Sequence, residues 1–191
     1  FQELQEGVYD PNILKAFFLA GGPGSGKSYV VKRGTGGLGL KIVNSDDVFE
    51  KYLKDAGLSL KMPKSEEEPR DKLRDRAKRV TAARQANYLE GRLGLIIDGT
   101  GKDYDKIAKQ ATQLKQLGYD VHMIFVNTSL ETALERNAKR ARTVPRSIAT
   151  KSWKTVQSNM GKFSQYFRQN FIVVDNNDSD EDVMGPVYKQ T

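Results

Sequence analysis

The sequence of 191 residues contains no cysteine and no long apolar run. The absence of cysteine excludes disulfide bonds and thiolate metal sites, and it is typical of cytosolic proteins. No stretch approaches the roughly 18 apolar residues that a membrane span needs. The opening Phe1-Gln2-Glu3-Leu4 carries an acid and no apolar stretch, so it does not resemble a signal peptide. We therefore expect a cytoplasmic protein without a membrane partner.

The chain also lacks an initiator methionine, because it begins on Phe1. We expect a processed or excised piece whose end at Thr191 is also a cut. The length fits one domain spanning 1–191. Within it, we expect residues 1–14 to be an N-terminal extension and residues 176–191 a C-terminal tail.

Acidic residues are outnumbered, and histidine is nearly absent. The net charge is +7, which favours anionic partners such as a nucleotide, a nucleic acid or a sugar phosphate, although solubility alone would also explain it. The excess is concentrated in a predicted helix over Arg70–Glu90, which is either an acceptor-phosphate or nucleic-acid surface or a solvated face. The single histidine, His122, lies in an apolar run and is expected to be packed or at a sheet edge.

Four of the 17 glycines lie in one motif. Residues 21–28 read Gly-Gly-Pro-Gly-Ser-Gly-Lys-Ser and fit G-x-x-x-x-G-K-[ST], the phosphate-binding P-loop. The preceding Lys15–Ala20 reads as a buried strand, and a helix over Ser28–Arg33 would direct its N-terminal dipole at the phosphates. We expect Lys27 to reach the β- and γ-phosphates and the Ser28 hydroxyl to bind Mg²⁺. The loop residues expected to contact the nucleotide are Gly22, Gly24, Ser25, Gly26, Lys27 and Ser28.

Strand-like and helix-like segments alternate along the chain, which predicts a parallel sheet covered on both faces. The clearest helix is Asp103–Leu117, with apolar residues at helical spacing and Gly118 as its stop. Another begins near Thr128, where a capping-box pattern occurs. The five predicted strands are Lys15–Ala20, Gly39–Val43, Leu93–Asp98, Val121–Val126 and Phe171–Asp175.

Acids follow two of these strands, at the edge where ligands of parallel sheets bind. Asp46 and Asp47 follow the second strand, and Asp46 is predicted to accept a proton from a substrate hydroxyl. The alternative is an N-cap for a helix over Val48–Ala56, which one of the two acids could supply. Asp98 ends the third strand and is predicted to hold Mg²⁺, the alternative being a turn. No second acid follows it directly, which favours transfer to a hydroxyl over hydrolysis.

Arginines follow the fourth strand. Arg136 and Arg140 are four residues apart, so we expect them to share a helix face. They could neutralise charge in a phosphoryl-transfer transition state, or belong to a solvated helix crossed by ion pairs. Trp153 and the aromatic residues after it are expected in a helix core, although base stacking is the alternative.

With these motifs together, the chain resembles the P-loop small-molecule and polynucleotide kinases. The similarity is greatest to the kinase domain of phage-type 5′-polynucleotide kinases and to the related zeta-toxin kinases. It rests on the P-loop and on three further motifs: Asn44-Ser45-Asp46-Asp47, Asp98-Gly99-Thr100, and Glu135-Arg136-Asn137-Ala138-Lys139-Arg140 followed by Val144-Pro145.

The resemblance implies a three-layer α/β P-loop kinase fold with a five-stranded parallel sheet of order 2-3-1-4-5 and an arginine-bearing lid. It implies ATP and Mg²⁺ as cofactors, Asp46 as the general base and Arg136 and Arg140 as lid arginines. Asn176 would lie near the adenine. One departure is that no arginine closely follows Asp47, where polynucleotide kinases usually have one that places the acceptor. The 191 residues of this sequence also contain no counterpart of the phosphatase domain of the bifunctional enzymes.

These features predict an ATP-dependent kinase that phosphorylates a hydroxyl group. The acceptor would be a polynucleotide 5′-hydroxyl or another nucleic-acid or nucleotide derivative. One alternative is a zeta-toxin-like nucleotide-sugar kinase. The others are a nucleotide-binding module without transfer activity and a nucleic-acid-stimulated ATPase.

Overall fold

The computed structural model describes residues 13–34, 39–61, 63–140 and 142–177. Most of the predicted N-terminal extension and of the C-terminal tail lies outside these ranges. Of the helices in the described ranges, none combines the length and the apolar character that a membrane crossing requires.

A five-stranded sheet forms the centre of the structure. Its strands are β1 (Lys15–Ala20), β2 (Lys41–Val43), β3 (Leu95–Asp98), β4 (Asp120–Asn127) and β5 (Phe171–Asp175). All neighbours are parallel, and their order is β2-β3-β1-β4-β5. The strand order implied by the resemblance is therefore confirmed. Parallel strands end at the same edge of the sheet, so the polar residues after them converge.

Three of the five strands differ from the predicted bounds. β1 and β5 have the predicted bounds, β4 is one residue longer at each end, and β2 and β3 each begin two residues later. Gly39 has φ +67°, a left-handed conformation that a strand does not adopt. Leu93 forms an antiparallel bridge with Ile13 rather than a parallel pair.

Helices cover both faces of the sheet, which makes three layers. They are α1 (Lys27–Gly34), α2 (Ser45–Asp55), α3 (Glu67–Glu90), α4 (Tyr104–Gln116), α5 (Leu130–Ala138) and α6 (Arg146–Phe167). Short 3₁₀ turns at Lys64–Glu66 and Arg168–Asn170 precede α3 and follow α6. The sequence did not predict α6 as one long helix, although it assigned the aromatic residues there to a helix core.

The N-cap of α5 lies one residue after the predicted position. The N-cap is Ser129, whose Oγ accepts a hydrogen bond of 3.1 Å from the backbone N–H of Thr132. Thr128 is 2% exposed, and its carbonyl oxygen accepts a hydrogen bond of 2.9 Å from Nε1 of Trp153. Thr128 thus links the end of β4 to α6 through this hydrogen bond. The N-cap of α5 is Ser129 rather than Thr128.

The core has two parts because β1 is buried on both sides. Phe18 and its neighbours pack against α4 and α6, and Phe17 and Leu19 pack against Val30 of α1. Burial of each such side chain contributes about 1.5–3 kcal/mol. His122 is buried and stacks on Phe17 with ring centroids 5.1 Å apart, so its prediction as a packed residue is confirmed.

A separate small cluster joins α2 to α3. Phe49 and Leu53 of α2 pack on Ala77 of α3, and all three are buried. This cluster places the basic helix α3 beside the acids at the start of α2.

Candidate functional site

The P-loop connects β1 to α1, which begins at Lys27. Gly24 and Gly26 have φ of +85° and +88°, a region that is accessible to glycine and strained for other residues. A side chain at either position would also collide with neighbouring atoms. A Cβ at Gly24 would collide with the carbonyl oxygen of Ala133, and one at Gly26 would collide with the side chain of Asn176. The loop is therefore fixed in a conformation of the kind that directs backbone N–H groups toward an anion.

Residues after β5 form hydrogen bonds that hold this loop in place. Asn176 is buried, and its Nδ2 donates a hydrogen bond of 2.8 Å to the carbonyl oxygen of Ser25. Arg136 of α5 donates to the carbonyl oxygens of Asn176 and Asn177 over 2.6 and 3.2 Å. Arg136 and Asn176 thus link α5, the end of β5 and the P-loop. Contacts of Arg136 with a phosphate and of Asn176 with adenine stay predictions.

Helix α6 touches the other side of the loop. A Cβ at Gly22 would lie 3.4 Å from the Cα and Cδ1 atoms of Trp153, so the loop backbone lies against the indole. Further along α6, Nδ2 of Asn159 donates to the carbonyl oxygens of Gly101 and Lys102, over 3.0 and 2.9 Å. Trp153, which was expected in a helix core, is only half-buried and belongs to none of the core clusters among the described residues; it packs against the loop instead. Ser25 presents a buried Oγ that has no hydrogen-bond partner among the described residues.

Lys27 directs its ammonium group into the loop. Its Nζ donates a hydrogen bond of 2.8 Å to the carbonyl oxygen of Gly21. Although part of the side chain remains accessible, the surrounding protein desolvates the ammonium and lowers its pKa. The carboxylates of Asp98 and Asp46 oppose this shift, and the Arg140 guanidinium adds to it. An anion in the loop would compensate the buried cation.

Asp98 lies at the end of β3, where its Oδ2 accepts a hydrogen bond of 3.0 Å from Nδ2 of Asn44. Burial raises the pKa of Asp98, and the nearby carboxylates of Asp47 and Asp46 raise it further. Lys27 and Arg140 act in the opposite direction. Asp98 is thus a desolvated carboxylate that a further cation would stabilise.

Oxygen ligands for Mg²⁺ are present, but they do not form a complete protein cage. Ser28 carries an exposed hydroxyl in the first turn of α1. In the described ranges, no group of three or more acidic, histidine or cysteine side chains is arranged to hold a metal by itself. Mg²⁺ commonly binds one or two carboxylates together with substrate phosphates and waters. The partly desolvated carboxylate of Asp98, which a cation would stabilise, and the hydroxyl of Ser28 fit that mode of binding.

The start of α2 frees both acids from helix capping. The N-cap is Asn44, whose Oδ1 accepts a hydrogen bond of 2.8 Å from the backbone N–H of Asp46. The alternative in which an aspartate caps this helix is therefore wrong, because the helix begins at Ser45. Asp46 and Asp47 lie in its first turn, where the helix dipole stabilises negative charge.

The Asp46 carboxylate is 49% exposed and meets two arginines. Arg142 places one terminal nitrogen 3.1 Å from Oδ2, and Arg74 of α3 places one 3.7 Å from Oδ1. The sequence did not predict the contact of Arg142 with Asp46. Arg74 was one of many basic residues on a predicted long helix. The only signal for Arg74 was the positive excess of that helix.

Asp47 is exposed, and partial desolvation together with Asp46 and Glu50 raises its pKa. Arg142 and Arg140 lower it. Arg140 therefore lowers the pKa values of Lys27, Asp98 and Asp47. It lies beyond the end of α5, which is at Ala138. The prediction that Arg136 and Arg140 share a helix face is wrong, because α5 ends before Arg140.

A P-loop after the first strand of a 2-3-1-4-5 parallel sheet, with acids after the second and third strands, defines a P-loop phosphotransferase of the kinase type. The family model for zeta toxin matches residues 8–183, and the chain belongs to the zeta toxin family. Curated protein sequences give no significant match.

Solved structures share the fold at low sequence identity. A candidate kinase from Chloroflexus aurantiacus is 18% identical, with a TM-score of 0.65 over 92% of this chain and 95% of that one. The PezAT toxin–antitoxin system of Streptococcus pneumoniae gives 19% identity and a TM-score of 0.63 over 87% and 70%. The Pnkp1/Rnl/Hen1 RNA repair complex gives 24% and 0.61 over 79% of this chain and 46% of that one.

Proposed function

We propose that this protein is an ATP-dependent kinase that transfers the γ-phosphoryl group of ATP to a hydroxyl group of a nucleic-acid or nucleotide-type acceptor. The observation that carries the proposal is the position of Asp46. It is an accessible carboxylate in the first turn of α2, and the start of α2 and the P-loop lie at the same edge of the parallel sheet. Its charge also affects the pKa values of Lys27 and Asp98. A hydroxyl bound at Asp46 would therefore face the phosphates of a nucleotide in the loop.

The donor half of the site consists of the P-loop and its supports. Backbone N–H groups at Gly22, Gly24 and Gly26 would bind the phosphates, and Lys27 would exchange its bond with the Gly21 carbonyl for a phosphate oxygen. The Ser25 N–H donates to the Gly22 carbonyl oxygen over 3.1 Å, so Ser25 would contribute through its Oγ, which is unpartnered among the described residues. Ser28 and Asp98 would hold Mg²⁺, which would neutralise charge on the β- and γ-phosphates. Asn176 supports Ser25 directly.

In the transfer step, Asp46 accepts the proton of the acceptor hydroxyl while that oxygen forms a bond to the γ-phosphorus. The bond from this phosphorus to the bridging oxygen breaks, and ADP leaves with the electron pair. Lys27 and Arg140 stabilise the charge that spreads over the transferred group, with Arg136 expected to assist. Arg142 holds the carboxylate of Asp46 in place.

Two acceptor classes are supported by different observations. A nucleic-acid 5′-hydroxyl is supported by the similarity to the RNA repair complex and by the basic helix α3 beside Asp46. A nucleotide sugar is supported by membership of the zeta toxin family. Both classes place a phosphate near the hydroxyl that reacts.

The experiment is a transfer assay with γ-labelled ATP and three acceptor classes: 5′-hydroxyl oligonucleotides, nucleosides or nucleotides, and nucleotide sugars. Label should move to one class. Lys27→Ala should abolish transfer, and Asp46→Asn should lower it by about 10²- to 10⁴-fold while ATP binding persists, since general-base catalysis contributes about that much.

Asp47→Asn is the matched variant, because Asp47 is adjacent to Asp46 and lacks a direct arginine partner among the described residues. It should retain most of the transfer activity. If Asp47→Asn is inactive and Asp46→Asn is not, the base is Asp47. Phosphate release without labelled acceptor would instead indicate an ATPase.

A further inference from the structure

Arg74 and Arg142 contact the same carboxylate in different ways. The Arg142 side chain is 14% exposed and lies 3.1 Å from Asp46, within hydrogen-bond distance. The Arg74 side chain is 38% exposed, and its nearest approach to Asp46 is 3.7 Å. Arg142 is thus committed to the carboxylate, whereas Arg74 lies beside it at a looser distance.

The orientation of Arg74 is nevertheless fixed. Its guanidinium stacks over the ring of Phe49, with 4.3 Å from Cζ to the ring centroid, and Phe49 itself is 1% exposed. Stacking on an aromatic face leaves the N–H edge of a guanidinium available. The long contact with Asp46 is the one ion pair of Arg74 given by the described residues. Most of its five donors therefore remain available at the mouth of the site.

We propose that Arg74 is the residue that selects the acceptor, by binding a phosphate of the acceptor next to the hydroxyl that Asp46 deprotonates. This inference rests on the proposed kinase function. A guanidinium matches two phosphate oxygens at once, and such charge-assisted pairs are about twice as strong as neutral hydrogen bonds.

The inference also limits the chemistry of the acceptor. Because Arg74 and the base are 3.7 Å apart, the phosphate and the reactive hydroxyl belong to the same small unit of the acceptor. A nucleoside 3′-phosphate with a free 5′-hydroxyl satisfies this condition, and so does the diphosphate of a nucleotide sugar. A neutral nucleoside or a free sugar does not.

Arg76 provides a control for a purely structural role of Arg74. Arg76, two residues further along α3, stacks over Tyr52 of α2 with 4.9 Å from Cζ to the ring centroid. Both arginines thus join α3 to α2 through a cation–π contact, but only Arg74 lies beside Asp46. Loss of packing alone should affect Arg74→Gln and Arg76→Gln similarly.

The test compares acceptors with and without phosphate: thymidine 3′-monophosphate against thymidine, and a sugar 1-phosphate or a uridine diphosphate sugar against the free sugar. For the pair that the wild type uses, kcat/KM should favour the phosphorylated member. Arg74→Gln should lower this preference by about 10- to 100-fold, because a hydrogen bond to a charged group contributes about 1.5–3 kcal/mol. The loss should fall mainly on KM. Arg74→Lys should restore part of it, and Arg76→Gln should leave it unchanged.

The outcomes separate the two proposals. If the wild type phosphorylates no acceptor in the panel, the proposed function fails and the inference fails with it. If the wild type transfers phosphate but Arg74→Gln keeps the full preference, the inference alone is overturned. An equal loss of preference in Arg74→Gln and Arg76→Gln would also overturn it, because packing would then account for the effect.

Discussion

Asn137 and Val144 are joined by two hydrogen bonds that close the chain between them into a loop. Nδ2 of Asn137 donates to the Val144 carbonyl oxygen over 2.7 Å, and the Val144 N–H donates to Oδ1 of Asn137 over 3.2 Å. Asn137 is 4% exposed. Arg140 and Arg142 lie within this loop, so one amide side chain holds in place the segment that carries both arginines.

Removal of that amide should therefore affect both stability and transfer. Asn137→Ala leaves two backbone groups of Val144 without partners, which should cost about 1–3 kcal/mol in the free energy of unfolding. Transfer should also fall, since Arg142 loses its fixed position at Asp46. Urea unfolding and the labelled-ATP assay measure the two effects. Lys139→Ala, at an exposed position inside the same loop, is the control and should change neither.

Gly24 and Gly57 allow the cost of backbone strain to be separated from that of a collision. Both have positive φ, +85° and +68°. A Cβ at Gly57 would meet nothing within 4 Å, whereas one at Gly24 would collide with the carbonyl oxygen of Ala133. Gly57→Ala should cost only about 1–2 kcal/mol in stability and retain ATP binding.

Gly24→Ala should cost more and weaken ATP binding, because the P-loop must shift away from α5. Calorimetric titration with ATP compares the two variants. Equal ATP affinity in both would contradict the role given to the loop conformation.

The raised pKa of Asp98 predicts a pH-dependent gain in stability for Asp98→Asn. Since the folded protein favours the neutral carboxyl, Asp98 supports folding fully below its ordinary pKa, and this support is lost as pH rises through the raised value. At pH values above that raised pKa, the wild type carries the cost of an ionised, partly buried carboxylate. The melting temperature of Asp98→Asn, measured without nucleotide or Mg²⁺, should therefore rise relative to that of the wild type as pH increases from about 4.

Thermal unfolding between pH 4 and 8 measures this difference. Asp105→Asn, at an exposed position in the first turn of α4, should show no such pH-dependent gain. A lower melting temperature for Asp98→Asn at pH 7 would mean that the attraction of Lys27 outweighs burial.

Trp153 should report nucleotide binding by its fluorescence. It is the only tryptophan in the sequence, and its indole lies against the backbone of Gly22. Addition of ATP and Mg²⁺ should change its emission in the wild type and not in Lys27→Ala. An unchanged emission in wild type that binds ATP by calorimetry would show that the loop does not move against α6.

The sequence was sufficient for most of the fold and for the position of the P-loop within it. β1 and the P-loop were predictable because each is a continuous segment with a strong local signal. Asn44 was not recognised as the N-cap of α2, since two aspartates beside it are equally good capping residues. The positions of Arg74 and Arg142 depend on how α3 and the loop after α5 pack against α2. Contacts between residues separated by 28 and 96 positions leave no local pattern.

Trp153 and Asn159, both on α6, touch the P-loop and the loop after β3 respectively. They are six positions apart on the helix, about 9 Å along its axis. One inserted residue between them would turn Asn159 by about 100° and remove it from the Gly101 and Lys102 carbonyls. This segment of α6 therefore has a fixed length. Natural relatives that keep both contacts should vary in sequence between these positions but not in the number of residues.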